Sequence, residues 1–224
     1  MTLKKKILII GADSKVAKLF IAKFSEKYTL ALTRRSATAI GSSDVQLDLS
    51  SVESVTQFIS TQKNHLYDGA LVFASVYEQD PVSTEDYLEK ARNDLAINVF
   101  SPMAIVRNLH FNPNSTILFF GDAGIHVPKP NHTIYTTSKA ALLAAARSLA
   151  VELHDKTKVI TLSLGPTLAP ESREDKAGFY NKNLLHLENI GDGLINYCDF
   201  ILNENNLGMT GSEIVYDSGT YLKR

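Results

Sequence analysis

The chain reads as an α/β protein, a single doubly wound parallel sheet of about seven strands with helices on both faces. Three observations predict it. Short continuous apolar runs recur along the 224 residues, each of strand length and apolar enough to be buried on both faces. Segments with apolar residues at helical spacing alternate with those runs. No linker, low-complexity stretch or internal repeat interrupts the alternation, so residues 1–224 are expected to form one domain.

The elements follow in order. Ile7 to Ile10 is the first strand, and Lys4, Lys5 and Lys6 form its solubilising start. After Gly11, the residues Val16, Ala17, Leu19, Phe20, Ala22 and Phe24 mark a helix whose other face carries lysines. Tyr28 to Thr33 is a second strand and Val45 to Leu47 a short third, leading to Asp48. Ser50 with Glu53 three residues on reads as a helix start. Ala70 to Ala74 is a fourth strand. Ser83 or Thr84 opens a long helix to about Leu109, with a kink expected at Pro102. Ile117 to Phe120 is a fifth strand, Thr133 to Leu153 a helix rich in Ala and Leu, and Val159 to Leu164 a sixth strand. Residues 165–187, with Pro166, Pro170 and a polar run, read either as a lid over a site or as a plain surface excursion. Ile190 to Leu202 is the last helix and Glu213 to Tyr216 the last strand.

Composition narrows the function. The net charge of -1 leaves no footprint for nucleic acid. No signal-peptide core and no bilayer-spanning run is expected. The one cysteine, Cys198, allows no disulfide within the chain and reads as a buried structural thiol, which favours a cytoplasmic location. No metal is expected.

The chemistry concentrates between Asp122 and Lys139. The Ile117 strand carries Asp122 to its C-terminal end, where open α/β sheets bind ligands. Tyr135 and Lys139 lie four apart on one helix face. An ammonium beside a phenol is expected to lower the phenol's pKa and equip it as a general acid or base. Taken alone, the pair also fits a solvated helix face, and Asp122 also fits a turn cap.

At the other end, Gly11 to Ala17 follows the first strand and opens the first helix, as in a dinucleotide-binding turn with only its first glycine kept. Lys15 stands at a glycine position and can reach a phosphate. The second strand ends in Thr33-Arg34-Arg35 rather than an acid, which favours a 2′-phosphate and therefore NADPH over NADH.

With these residues together, the chain resembles the short-chain dehydrogenase/reductase family over nearly its whole length. The resemblance rests on the Gly11 turn, Asp48, Asn98, Tyr135-x-x-x-Lys139 and Gly165-Pro166. It implies a Rossmann-type fold, a proton-donating Tyr135, a ribose-binding Lys139 that tunes it, and an Asn98 that holds a relay water. By the same resemblance, Gly11, Ser14, Lys15 and Val16 hold the cofactor with Arg34 and Arg35. Asp48 and Leu49 lie by the adenine. Ala74 and Ser75, then Lys139, then Gly165, Pro166 and Thr167 complete that set.

Two departures sharpen the reading. The family's usual serine is Asp122 here, and its Asn-Asn-Ala-Gly run is Val72-Phe73-Ala74-Ser75, with Tyr77 beyond. Both departures, and the C-terminal Asp217-Ser218-Gly219-Thr220-Tyr221, are similar to the pteridine and dihydromonapterin reductases. That implies a pterin-like substrate held by Ser75, Tyr77, Asp122 and Tyr135. A carboxylate would oppose an alkoxide forming from a ketone, whereas reduction of C=N needs a proton on nitrogen. Two alternatives are a reductase of 3-oxoacyl thioesters or small ketones, and a non-catalytic NADPH-binding module. Family likeness implies a homodimer or homotetramer, and apolar residues on both faces of the Ala140 to Ala150 helix fit burial on two sides.

Overall fold

The computed structural model describes residues 3–36, 44–127, 129–169, 174–181, 183–187, 190–204 and 208–222. Strands β1 (Lys6–Ile10), β2 (Thr29–Arg34), β3 (Asp44–Gln46), β4 (Leu66–Val72), β5 (His110–Asp122), β6 (Thr157–Leu164) and β7 (Ser212–Tyr216) form one seven-stranded sheet. Its order is β3-β2-β1-β4-β5-β6-β7, and every neighbouring pair is parallel. The chain winds outward from β1 to one edge, returns, and winds from β4 to the other. The switch point therefore lies between β1 and β4, where a crevice opens at the strand ends.

Side chains alternate across the strands and feed two cores. Leu8, Ile10, Ala70, Val72, Ile117 and Phe119 face one side. There they meet Val55 and Phe58 of α2 (Val52–Gln62), Ile105 of α4 (Ser101–Asn108) and Leu142 and Leu149 of α5 (Thr133–Glu152). Ile7, Ile9, Leu71, Leu118 and Phe120 face the other side. They pack on Ala17 and Phe20 of α1 (Lys15–Phe24) and on Leu194, Cys198 and Ile201 of α7 (Ile190–Asn203). Burying each large apolar side chain stabilises by about 1.5–3 kcal/mol relative to exposure. Cys198 lies wholly inside this second core, and burial pushes its thiol pKa up.

Several boundaries differ from the sequence reading. β5 begins at His110, well before the apolar run, because backbone pairing with Leu66 and Tyr67 extends it through polar residues. β4 stops at Val72, though Phe73 and Ala74 still donate their N–H groups to the Ile10 carbonyl. Ser51, not Ser50, caps α2 by accepting from the Ser54 N–H. The expected long helix is α3 (Thr84–Leu95), then a π-helical turn Ala96–Phe100, then α4. The interruption thus precedes Pro102 rather than centring on it. Pro102 has no N–H for the carbonyl of residue 98, and the widened turn ends two residues before it, at Phe100.

In the segment 165–187, a short helix α6 (Lys176–Tyr180) breaks the irregular course. Pro170 to Arg173 and Lys182, part of the expected lid, lie outside the described residues. No helix among the described residues is long and apolar enough to cross a membrane.

Candidate active site

Two adjoining cavities occupy the crevice at the switch point. One, of about 240 Å³, is lined by Gly11, Asp13, Ser14, Thr33, Arg35, Leu47, Asp48, Leu49, Phe73, Ala74, Ser75, Val76 and Ile97. The other, of about 370 Å³, runs from Ser14, Lys15 and Val16 past Phe73 and Ser75 to Tyr77, Asp122, Tyr135 and Lys139. Gly165, Pro166, Thr167 and Phe179 close its far side. The cavities share Ser14, Phe73 and Ser75.

The first cavity is shaped by Gly11. Its φ of +86° is a left-handed conformation, and a Cβ there would stand 2.7 Å from the Ala74 backbone nitrogen. The turn therefore brings β1 and the β4 exit into backbone contact. Ser14 then caps α1, accepting from the Ala17 N–H at 3.1 Å, and Ser14, Lys15 and Val16 at the start of that helix line the second cavity. A narrow glycine-shaped cradle at a helix N-terminus fits a pyrophosphate. A floor of Asp48, Leu49 and Ile97 fits an adenine and its ribose. Asp48 accepts from the Ser50 hydroxyl and N–H, bonds that lower its carboxyl pKa.

The two arginines separate. The Arg34 guanidinium is held by Asp13 and by Asp44, and it does not line either cavity. Arg35 lines the first cavity, with Asp48 3.9 Å away. From the sequence both are expected at a 2′-phosphate, but Asp13, two residues after the glycine, and Asp44, which pairs with Leu32 across β2 and β3, take Arg34. Lys15 lines the second cavity and also donates to the Ala169 carbonyl at 3.2 Å, tying the segment after β6 to the cofactor turn.

At the reaction end, β5 delivers Asp122 and α5 delivers Tyr135. The Tyr135 hydroxyl donates to Asp122 Oδ2 at 2.7 Å. Asp122 Oδ1 accepts from the Gly124 N–H at 2.5 Å. Asp122 therefore serves as a turn cap and as a partner of the phenol at once. Lys139 is buried, donates to the Phe120 carbonyl at 2.9 Å, and sits 5.8 Å from the Tyr135 ring centroid.

This geometry overturns the expected lowering of the tyrosine pKa. Burial raises the Tyr135 pKa, and the Asp122 carboxylate raises it further. Burial lowers the Lys139 pKa to about 8, against a smaller opposing effect of Asp122. The i, i+4 spacing brings the ammonium toward the ring, but its hydrogen bond goes to the β5 backbone while the hydroxyl finds a carboxylate. Tyr135 consequently keeps its hydroxyl proton at neutral pH.

Asn98 lies on the π-helical turn and borders neither cavity. Its Oδ1 accepts from the Val76 N–H at 2.8 Å, while Nδ2 donates to the Val76 carbonyl and, at 2.9 Å, to Ser138 Oγ. Ser138 in turn donates to the Tyr135 carbonyl at 2.7 Å. The side chain of Asn98, the residue expected to hold a relay water, clamps the loop carrying Ser75 and Tyr77 to α5.

A second clamp was not legible in the sequence. His132 supplies no side-chain cap to α5. Asp80, from the loop after β4, accepts from the Thr133 N–H and hydroxyl and from the Ile134 N–H. The same loop presents Tyr77, stacked on His132 at 5.0 Å and edge-on to Tyr135 at 4.7 Å. Beneath the shared wall, Phe73 stacks on Phe120 at 4.3 Å. Sequence reasoning also missed Phe179 and Tyr221, which line a cavity of about 190 Å³ with Tyr77, Asp122 and Tyr135. Among the described residues no three His, Cys, Asp or Glu side chains gather as a metal site.

A crevice built for a dinucleotide, opening onto a protonated tyrosine with a buried lysine, defines a nicotinamide-type oxidoreductase. The family model described as enoyl-(acyl carrier protein) reductase matches residues 12–221, and the chain belongs to this family of short-chain dehydrogenases/reductases. It is similar to a probable galactose dehydrogenase, GalD, of Rhizobium meliloti (strain 1021), at 21% identity over 92% of this chain and 86% of that one. It is also similar to an enoyl-[acyl-carrier-protein] reductase [NADH] of the same organism, at 27% identity over 66% of this chain and 60% of that one. Among solved structures, a short chain dehydrogenase family protein from Francisella tularensis superposes with a TM-score of 0.83 at 20% identity, covering 98% of this chain and 99% of that one. BdcA in complex with NADPH superposes with a TM-score of 0.80 at 17% identity, covering 96% and 94%.

Proposed function

We propose that the protein reduces a C=N bond of a dihydropterin with NADPH: NADPH + H⁺ + dihydropterin → NADP⁺ + tetrahydropterin. The observation that carries this reading is the 2.7 Å hydrogen bond from Tyr135 to the Asp122 carboxylate. The dinucleotide, when bound, supplies the hydride. Tyr135, kept protonated by burial and by Asp122, gives its proton to the substrate nitrogen. The buried Lys139 ammonium offsets the negative charge left on the phenol, and a proton taken up from solvent, passed through the Asp122 carboxylate, restores the Tyr135 hydroxyl. Tyr77 offers a flat apolar face to a heterocycle and Ser75 a neighbouring hydroxyl. Asn98 acts by positioning that loop.

NADPH is preferred through Arg35, on the wall of the adenosine cavity, with Lys15 near the phosphates. BdcA, solved with NADPH, is a fold-level likeness that agrees. We further propose that residues 1–224 act as one domain in the cytoplasm and that segment 165–187 closes over substrate, since Pro166 and Phe179 already line the cavity. Exposed Phe100 and Val151, with Ala140 and Ala144 on the outer face of α5, support a homodimer or homotetramer.

A second reading, reduction of an acyl thioester or small carbonyl compound, draws on the family description and on the enoyl reductase relative. Asp122→Asn separates the two. If a C=N bond is reduced, the variant loses about 100-fold or more in kcat/KM for 7,8-dihydromonapterin while its Kd for NADPH stays within about threefold. Wild-type turnover of dihydropterin by Asp122→Asn, or a wild-type enzyme that reduces only acetoacetyl thioester, overturns the pterin reading.

A further inference from the structure

We propose that Tyr221, near the C-terminus, is a substrate-contacting residue, with its hydroxyl bonding the edge of the substrate ring remote from the reacting bond. The short 3₁₀ turn Thr220–Leu222 follows β7 directly. Asp217 builds it: its carboxylate accepts from the Gly219 N–H at 2.9 Å and from the Tyr221 N–H at 3.2 Å, and its carbonyl accepts from the Thr220 N–H. Outside bonds then fix the turn. Thr220 donates its hydroxyl to Asn183 Oδ1 at 2.7 Å, the Leu184 and Leu185 N–H groups donate to the Ser218 carbonyl, and the Gly165 N–H donates to the Tyr216 carbonyl. The tail is thus fastened to both ends of the segment that borders the site.

That fastening aims the Tyr221 ring inward. It shares the 190 Å³ cavity with Tyr77, Asp122, Tyr135, Lys129 and Phe179. Its hydroxyl lies over Gly124, 3.0 Å from where a Cβ would stand, and Asp122 Oδ1 lies 2.7 Å from the same point. Glycine at 124 therefore leaves room for phenol and carboxylate side by side. Among the described residues the Tyr221 hydroxyl makes no hydrogen bond, although the turn beneath it is fully bonded. Burial and the nearby Asp122, Asp217 and Tyr77 push its pKa up to about 12, so it reaches a ligand as a neutral donor and acceptor. Asp122 can only accept, and Tyr135 is committed to the reacting nitrogen. Tyr221 supplies a neutral polar contact in the cavity that Tyr77 also lines.

The contact with substrate holds for any compound reduced at Tyr135; the bond to a ring heteroatom rests on the dihydropterin reading. The test uses the full chain, Tyr221→Phe and Tyr221→Ala, with 7,8-dihydromonapterin and acetoacetyl thioester as probes. The expected result is a KM for dihydromonapterin raised about fivefold in Tyr221→Phe and more than about tenfold in Tyr221→Ala, with kcat within about threefold. The Kd for NADPH, read by fluorescence without turnover, should not move. An unchanged KM in Tyr221→Ala overturns the proposal. So does a Kd for NADPH that weakens in step with KM, because the tail would then act through the dinucleotide. Should Tyr221→Ala fail to fold, a wild-type KM in Tyr221→Phe removes the hydroxyl contact. If wild type reduces only the thioester, the pterin reading falls, and the same variants judge Tyr221 by the thioester's KM.

Discussion

Replacing Lys139 with methionine should abolish reduction and at the same time stabilise the protein. The lysine is 3% exposed and its pKa falls from 10.5 to about 8 on burial. At about 1.4 kcal/mol per pH unit, holding it charged in the folded state costs about 3 kcal/mol at pH 7. Methionine removes that cost and keeps most of the volume, but it withdraws the donor from the Phe120 carbonyl, a loss of about 1 kcal/mol. The net gain is about 2 kcal/mol, or a rise in Tm of about 4–8 °C for a chain of this size. The sign follows from linkage. Between pH 8 and 10.5 the unfolded state binds the lysine proton and the folded state does not, so wild-type stability rises with pH across that window. Methionine has no such dependence. Its advantage is therefore full below about pH 8 and gone near pH 10.5. Thermal unfolding of both cofactor-free proteins at about pH 7 and about pH 10 reads this directly. A methionine variant that melts below wild type at the lower pH, or an advantage equal at both pH values, refutes the reasoning.

The clamp from Asp80 makes a second expectation: Asp80→Ala should destabilise by about 1–2 kcal/mol, as the loss of a helix N-cap does, and raise the KM for substrate through Tyr77. Burial raises the Asp80 pKa, but the hydrogen bonds from Thr133 and Ile134 outweigh it and lower it below 3.8. The difference from wild type in urea denaturation should therefore persist above the ordinary carboxylate range and close as acid protonates the folded carboxylate. The arginines should part in function. Arg35→Ala should weaken NADPH about tenfold and leave NADH nearly unchanged in fluorescence titrations. Arg34→Ala should lower Tm instead, since it strands Asp13 beside the partly buried Asp44.

The apolar runs were enough to place the central strands of the sheet, because a strand buried on both faces must be apolar throughout, and Ile7 to Ile10 or Ile117 to Phe120 have no other use for such a run. Gly11 was legible for a related reason: a left-handed turn against another backbone admits no other residue. The spacing of Tyr135 and Lys139 put them on one helix face, and Asp122 at the end of its strand. What the linear order could not convey was which polar partner each would meet. The Tyr135 hydroxyl found Asp122 rather than the Lys139 ammonium, and its pKa moved the opposite way. Asp13 and Asp44 took Arg34, Asn98 closed on Val76 and Ser138, Asp80 reached 53 residues ahead to cap α5, and Tyr221 arrived from the chain's other end. Burial patterns are periodic and repeat along a chain. Hydrogen bonds and ion pairs depend on distances of a few ångströms between residues far apart in sequence, and those exist only once the sheet has brought them together.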